Sequence, residues 1–502
     1  MSTRDKPTTD RRLTRRRLLA GGISLAGIGI LAACSSPASP APAAPTSVAP
    51  AAAPTSAAPG PAPTTAAKPT QAVAATPAPQ AAVTTAPKAS TEIIWTSWAT
   101  DTYGLFRVQE QVDNFGKAHP EIKVTLRNVP SSGYMDKLLA DLAGGVGPDV
   151  FRVGLDQFPP LVRQHQVLEL DPLFKAEPDS FLAGKDLKPG VVDLFRYSGK
   201  LYNFPIGLDM PCFYVNKTLF DQAKLPYPPD NYANPSWTFP SMAEMAKKLT
   251  KMESGRVVQF GVDVPSTTDW QSLEGTVAAN GGHMLSVDLK EFTWNAPEAL
   301  TALQLVADLR NVLKVAPAPG QTQGGGFDFV GGRLAMAFTE VSQASYRTQD
   351  VKDKFNWDML PWPQWPNNPQ ITLLDPSSET INQGTKQRDA AWTFFYWRVG
   401  PGGQLVDAEW GWGLPIFNSL DSHYNSRIAQ FKKNVKPGID GAKYLSKDFP
   451  LANPRFGEAW DQISSALDNA WLGKEKVKDA IERVKPAADK LFQQGVAELG
   501  QM

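Results

Sequence analysis

A tract of 57 residues, 35–91, limits which part of this chain can fold. Pro, Ala, Ser and Thr make up 49 of these residues, and the tract contains no acidic and no aromatic residue. Such a composition cannot bury enough apolar surface to offset the entropy of an ordered chain. We therefore expect 35–91 to be an extended tether, with a glycosylated stalk as the alternative, and the folded body to be confined to 92–502.

The residues before the tether predict an export signal. Residues 14–19 read Thr-Arg-Arg-Arg-Leu-Leu, which resembles a twin-arginine signal, and an apolar stretch continues to Ala33. That stretch is shorter than the ~20 residues of a spanning helix. Its end, Leu-Ala-Ala-Cys34, resembles a lipobox. We predict that 1–33 is removed and that lipid on Cys34 anchors the protein to the outer face of the cell membrane or in the periplasm; an ordinary cleaved signal is the alternative.

Charge and cysteine content narrow the class of protein further. Residues 1–33 carry a net charge of +5, so the rest carries about −5, because the whole chain is neutral. This balance gives no basic patch for nucleic acid. Cys212 is the only cysteine of the body, so no intrachain disulfide can form there. The core must hold the body together, and its length predicts two lobes rather than one.

The order of predicted elements indicates an α/β fold. Apolar and alternating runs predict strands near 93–95, 122–129 and 149–153, with helices at 104–118 and 134–143 between them. Strand–helix–strand repeats imply a parallel sheet, whose ligands bind beyond the carboxyl ends of the strands. Further strands are predicted at 201–205, 212–215 and 334–338, and helices at 388–398 and 454–498.

Helix boundaries can also be predicted from capping residues. Thr238 is a suitable N-cap for a helix ending near Lys251. Residues 295–298, Asn-Ala-Pro-Glu, fit a capping box with proline in the first turn of a helix. Pro486 predicts a break in the C-terminal helical region.

Seven segments together resemble a known family, and they are 115–125, 147–150, 199–209, 214–217, 279–282, 332–336 and 412–415. Through these segments the chain is similar to extracellular solute-binding proteins of the maltose-binding type, the receptors of ATP-driven importers. The resemblance covers nearly all of 92–502 in family order. It implies a two-lobed fold with a central sheet flanked by helices in each lobe, a solute in the cleft between them, and hinge closure as the signal to the permease.

The resemblance also implies where the lobes divide. The chain would cross between them near 205–210, 365–372 and 425–450. One lobe would contain 92–207 and 371–425, and the other would contain 208–370 and 426–502. The implied protein is a monomer without a cofactor or metal, and its partners are a small solute, permease subunits and the membrane.

Aromatic rings stack on the apolar faces of sugars, and acids or amides accept bonds from sugar hydroxyls. Tryptophans and polar residues in loops at the cleft edge are therefore the candidate ligand residues, and the resemblance supports several of these positions. The predicted set is Trp98, Asp156, Asp209, Trp270, Asn280, Glu340, Trp410 and Trp412.

The identity of the solute stays open in the sequence. Gln157 stands where a maltose receptor has arginine, so another mono- or oligosaccharide is the better expectation. A polyol, a glycerol phosphate or an amine remains an alternative, although no basic cluster at a helix start predicts a phosphate site. A secreted carbohydrate-active enzyme using Asp209 and Glu340 is a further alternative. A surface adhesin or sensor subunit with the same fold is the last.

Overall fold

The computed structural model describes residues 90–499 except 100–101, 132, 233, 265–269, 319–320, 322–326, 375 and 447–452. The predicted signal, Cys34 and the tether as far as residue 89 lie outside the described residues. Within the described part of the chain, no helix is both long and apolar enough to cross a membrane.

The described residues form twelve β-strands. In chain order they are β1 Thr91–Ser97, β2 Ile122–Asn128, β3 Val150–Gly154, β4 Arg196–Tyr197, β5 Lys200–Leu201, β6 Phe204–Pro205, β7 Pro211–Asn216, β8 Lys251–Glu253, β9 Arg256–Val262, β10 Leu334–Glu340, β11 Trp357–Leu360 and β12 Ser377–Ile381.

Fifteen α-helices accompany these strands in the described residues. They are α1 Thr102–Ala118, α2 Tyr134–Ala143, α3 Phe158–Arg163, α4 Asp171–Ala176, α5 Lys217–Ala223, α6 Phe239–Leu249, α7 Trp270–Ala278, α8 Pro297–Asn311, α9 Ala344–Val351, α10 Arg388–Val399, α11 Pro401–Trp410, α12 Asp421–Ala429, α13 Lys436–Asp440, α14 Phe456–Trp471 and α15 Val477–Leu499.

Two five-stranded sheets organise the body. The first has the order β2-β1-β3-β12-β6, and the second has the order β11-β7-β10-β9-β8. In the first sheet β1 is parallel to β2 and β3, as the strand–helix–strand pattern predicts, while β12 is antiparallel to β3. The predicted α/β fold with a sheet and helices in each of two lobes is confirmed.

The chain passes twice between the sheets in its strand region. It leaves the first sheet after β6 and enters the second at β7, and it returns between β11 and β12. The C-terminal helices then join the side of the second sheet, where the Asn311 amide of α8 donates to the Ala470 carbonyl of α14 at 3.0 Å. These connections place the carboxyl ends of β1 and β3 opposite the start of β7 and the end of β10.

The N-cap at Thr238 is confirmed, the helix start near 295–298 is confirmed without its capping box, and the predicted break at Pro486 is wrong. Thr238 caps α6, and its hydroxyl accepts from the Ser241 amide at 3.1 Å while the Ser241 hydroxyl accepts from the Thr238 amide. The capping box at 295–298 is absent, because Pro297 holds Ala296 extended and makes Ala296 the N-cap. Pro486 lies inside α15 without ending it, since its exposed position lets water reach the carbonyl that loses its partner.

Candidate functional site

A cavity of about 530 Å³ lies between the two sheets. Its size falls within the range of small-molecule sites, roughly 300–1,000 Å³. We call the side formed by Trp98, Arg107, Arg152 and Trp412 the first wall, because these residues belong to the first sheet and its helices. The second wall comprises Asp209, Glu340, Ser342 and Tyr346, which surround β7 and β10 of the second sheet.

Two indoles shape the first wall. Trp98 follows β1 and meets Tyr134 edge to face with their ring centroids 5.0 Å apart. Trp412 follows α11, which Gly411 ends in the left-handed conformation with φ 68°. A Cβ at Gly411 would also lie 2.9 Å from the Phe431 ring, so both backbone and space favour glycine. This turn directs Trp412 into the cavity.

Two buried arginines lie behind these rings. The guanidinium carbon of Arg152 is 4.0 Å from the Trp98 ring centroid and 4.9 Å from that of Trp412, and Arg107 is 4.1 Å from Trp412. Stacking of this kind is favourable and is strengthened when water is excluded. Only 2% of Arg107 and 7% of Arg152 is exposed. The first wall is therefore both aromatic and cationic.

An ion cluster beneath the first wall holds these groups in place. Asp407 on α11 binds Arg107 through one oxygen and Arg398 through the other, the latter at 3.0 Å. Glu379 on β12 accepts from the Trp95 indole at 3.1 Å and lies 3.6 Å from Arg398. Burial raises the pKa of Glu379 to about 7, so its negative charge is incomplete at neutral pH.

The second wall presents acids. Asp209 precedes β7, and its carboxylate accepts from the backbone amides of Met210 at 2.9 Å and Ser342 at 3.0 Å. Glu340 ends β10 and, like Asp209, is half-buried. Tyr346 on α9 reaches across the cavity and hydrogen-bonds to Arg107. Carboxylates placed in this way can accept hydrogen bonds from the hydroxyl groups of a solute.

Asp156 and Trp270 lie where the two walls meet. Asp156 follows β3, two residues after Gly154, which is the last residue of that strand. Burial raises the pKa of Asp156 to about 6, against the opposing effect of the Trp270 indole. Trp270 begins α7, is only 3% exposed, and packs against Phe456 with centroids 5.0 Å apart. It therefore closes one end of the cavity more than it offers a free ring face.

Six of the eight predicted ligand residues line this cavity, and two lie elsewhere. The six are Trp98, Asp156, Asp209, Trp270, Glu340 and Trp412. Asn280 is placed outside it, because its amide bonds the Glu298 carbonyl at 2.8 Å and its oxygen accepts from Asn368. Trp410 is also outside, because its indole donates to Glu110 on α1 at 2.8 Å. Ligand binding by the six remains a prediction.

A larger open cavity of about 1040 Å³ lies elsewhere, where α3 and the β4–β5 hairpin meet α14 and α15. None of the eight predicted residues lines it. It is lined on both sides by charged groups such as Arg163, Lys200 and Glu498, with no indole among its described lining residues. The smaller cavity between the sheets therefore fits the predicted chemistry better.

Arg107 and Arg152 were not among the residues predicted from the sequence. A signal existed in each case: Arg152 interrupts the apolar strand Val-Phe-Arg-Val-Gly, and Arg107 falls next to Val108 on the buried face of α1. A charged residue in a buried strand needs a partner or a function. The partner of Arg107 is Asp407, 300 residues further along the chain, so the pairing could not be found without the fold.

Comparison with known proteins supports this assignment of the fold. The profile of the bacterial extracellular solute-binding protein family matches residues 102–405. A putative binding protein of Brucella abortus is 29% identical over 385 residues, covering 75% of this chain and 88% of that protein. The maltooligosaccharide ABC transporter solute-binding lipoprotein of Streptococcus pneumoniae is 22% identical over 398 residues, covering 76% of this chain and 86% of the relative.

A solved structure shows the same fold at low sequence identity. The ABC substrate-binding protein of Listeria monocytogenes in complex with cycloalternan superposes with a TM-score of 0.71 and 23% identity, covering 80% of this chain and 98% of that one. The family profile spans more than half of the present sequence. This chain belongs to the family of bacterial extracellular solute-binding proteins.

Proposed function

We propose that this protein captures a sugar in the cavity between its two sheets and delivers it to the permease of an ABC transporter. The observation that carries the proposal is the pairing of two indoles on one wall with two carboxylates on the other. A sugar has apolar faces that suit Trp98 and Trp412, and hydroxyl groups that suit Asp209 and Glu340.

The family and its relatives support a carbohydrate as the solute class. The pneumococcal relative is named for maltooligosaccharides, and the Listeria structure holds cycloalternan. Gln157, which the resemblance aligns with an arginine of maltose receptors, lines the present cavity. We therefore assign a mono- or oligosaccharide other than maltose. A polyol, glycerol phosphate or amine is the competing solute class.

Delivery requires that the transporter distinguish the loaded from the empty receptor. We propose that the lobes comprise 92–207 with 371–425 and 208–370 with 426–502, and that solute binding favours their closed arrangement. The crossings expected near 205–210, 365–372 and 425–450 would act as hinges. A solute that touches both walls binds the closed state more tightly, and this differential affinity shifts the equilibrium.

A thermal-shift screen followed by calorimetry tests the proposed function. The panel contains neutral and acidic mono- and oligosaccharides, polyols, glycerol 3-phosphate and choline. At least one saccharide should raise the melting temperature by mass action and bind with one-to-one stoichiometry. A response to polyols or amines alone would contradict the proposal. We also propose that the bound sugar is not turned over, and continuous release of reducing ends would show an enzyme instead.

We propose further that the mature protein is anchored through lipid on Cys34 and works outside the cytoplasm. The relatives from Streptococcus pneumoniae and Streptomyces antibioticus are named as lipoproteins. Cys34→Ala should abolish lipid labelling and move the protein out of the membrane fraction. Unchanged labelling and retention in membranes would contradict the anchor, while leaving the sugar-binding proposal intact.

A further inference from the structure

Arg152 has an unusual environment for a buried arginine. It is 7% exposed and lines the cavity, with its guanidinium over Trp98 and Trp412. One of its terminal nitrogens donates to the Ser377 hydroxyl, and its Nε atom has no hydrogen-bond partner. Among the described residues, no carboxylate lies within ion-pair distance, 4.0 Å, of this side chain.

The two neighbouring arginines differ from Arg152 in this respect. Arg107 and Arg398 share the carboxylate of Asp407, which uses both of its oxygens for them. Glu379 is the cross-strand neighbour of Arg152 and its charge opposes the lowering of the Arg152 pKa, but Glu379 lies beyond ion-pair distance of Arg152, accepts from Trp95 and is 3.6 Å from Arg398. Three guanidinium groups therefore face two carboxyls, and Arg152 is the cavity-lining arginine that has no carboxylate within ion-pair distance among the described residues.

A buried charge without a counterion is costly, and the cost falls when an anion enters the site. Burial, and then the proximity of Arg107, lower the pKa of Arg152 to about 10, so it remains charged at neutral pH. The hydroxyl groups of a neutral sugar can bond a guanidinium but cannot neutralise it. A carboxylate or phosphate can do both, often through two parallel hydrogen bonds.

The opposite wall fixes the orientation of such a ligand. Asp209 and Glu340 would repel an anionic group, whereas they accept hydrogen bonds from hydroxyls. The indoles of Trp98 and Trp412 stack on the planar Arg152 guanidinium and position it at the first wall. The first wall is thus suited to an anion, and the second wall is suited to a hydroxyl-rich group.

We propose that the solute is an acidic saccharide, whose single carboxylate or phosphate group binds Arg152 while its hydroxyl groups face Asp209 and Glu340. This inference rests on the proposed function and specifies its substrate class. Uronic acids and sugar phosphates share the required chemistry, and they differ in the geometry and charge of the anion.

Calorimetry with matched ligands tests this inference. The probes are glucose, galactose and mannose, each compared with its uronic acid and its 6-phosphate. The acidic member of at least one series should bind at least about tenfold more tightly than its neutral parent. The larger gain, with carboxylate or with phosphate, identifies which anion the site accepts. Equal or tighter binding of the neutral parents would overturn the inference while supporting the proposed function.

Variants of Arg152 connect that preference to this side chain. Arg152→Gln should reduce the affinity for the acidic sugar by at least about tenfold and that for the neutral parent by less than about threefold. Arg152→Lys keeps the charge and should retain part of the preference. Arg388→Gln is the control, because Arg388 is exposed and does not line this cavity. Preference for the acid that persists in a folded Arg152→Gln protein would overturn the assignment.

If Arg152→Gln does not fold, the lysine variant and the wild-type preference still decide the question. If Arg152→Lys loses the preference for the acidic sugar as completely as we expect of Arg152→Gln, the shape of the arginine side chain and not its charge determines the preference. That result would contradict the proposed ion pair. Failure of the proposed function gives a different result, because no saccharide in the panel, neutral or acidic, would then bind. That outcome would overturn both proposals.

Discussion

The two walls of the cavity are held in place by different kinds of interaction. The first wall consists of flat, stacked groups supported by a buried ion cluster, in which Asp407 binds two arginines. The second wall presents two half-buried acids, Asp209 and Glu340, and backbone amides of Met210 and Ser342 hold Asp209. One wall depends on side chains that are distant in sequence, and the other depends on strand ends and a tight turn.

This difference indicates how a binding site can combine one fixed wall with one wall that adjusts to the solute. The ion cluster holds the first wall in place without a solute, because its arginines and carboxyls are buried and pair with one another. In the proposed closure of the lobes, the second wall would move with the other sheet and approach the solute. Changes in the first wall should therefore affect folding as well as binding, whereas changes in the second should affect binding alone.

Removing the charge of Asp407 should give the largest effect. Asp407→Asn leaves buried Arg107 without its carboxylate and Arg398 with only Glu379, 3.6 Å away, and loss of a buried partner typically costs about 3–5 kcal/mol of unfolding free energy. A urea titration followed by circular dichroism measures this change. Lys137→Gln is the control, because Lys137 pairs with Asp141 at 3.1 Å at a half-exposed site. Equal midpoints for the two variants would show that the cluster does not support the first wall.

Two tryptophans separated by one residue test the aromatic part of the first wall. Trp412→Ala should weaken sugar binding about thirtyfold, equivalent to ~2 kcal/mol, because it removes a stacking surface and uncovers Arg107. Trp410→Ala should change the affinity less than about twofold, since Trp410 bonds Glu110 outside the cavity. Calorimetry with the tightest saccharide from the screen distinguishes them. A larger loss for Trp410→Ala would reverse our assignment of the two rings.

An acid and an amide give the matching test of the second wall. Asp209→Ala should weaken sugar binding by at least about tenfold while the protein remains folded, because a carboxylate that accepts solute hydroxyls is lost. Asn280→Ala should leave affinity unchanged, since the Asn280 side chain bonds Glu298 and Asn368 instead of facing the cavity. If both variants bind with wild-type affinity, Asp209 serves only the turn before β7.

The parts of the fold that follow from local sequence could be predicted. The parallel strands β1 and β3 come from apolar runs. Thr238 marks the start of α6 because its capping partner, Ser241, is only three residues further along the chain. The errors arise where neighbours override a local rule. Pro297 moves the cap of α8 to Ala296, and Pro486 is tolerated because it faces solvent.

The candidate site was predictable only in part, for reasons that are also physical. Residues after the strand ends, such as Trp98 and Asp209, lie at the cavity because sheet topology brings those ends together. The left-handed turn at Gly411 separates Trp410 from Trp412, and no periodicity in the sequence shows which ring faces inward. The arginines depend on partners such as Asp407 that only the tertiary fold brings near.

The smallest expected effect concerns an ion pair between the two halves of the body. Arg163 on α3 binds Glu458 at 3.1 Å and Glu498 at 2.9 Å, while Arg455 binds the same two acids from within the C-terminal segment. If closure brings the walls together, Arg163→Gln should weaken sugar binding by about fivefold or less, because such partly exposed pairs contribute at most about 1 kcal/mol. High salt should remove the difference from wild type.

Arg455→Gln is the matched variant, because it disturbs the same acids without breaking a contact between α3 and the C-terminal helices. It should leave sugar affinity unchanged, which calorimetry at low and high salt would show. Equal losses for both arginine variants would mean that the acids act through local stability of α14 and α15. A loss for Arg163→Gln alone would show that contacts distant from the cavity help bring the acidic second wall to the cationic first wall.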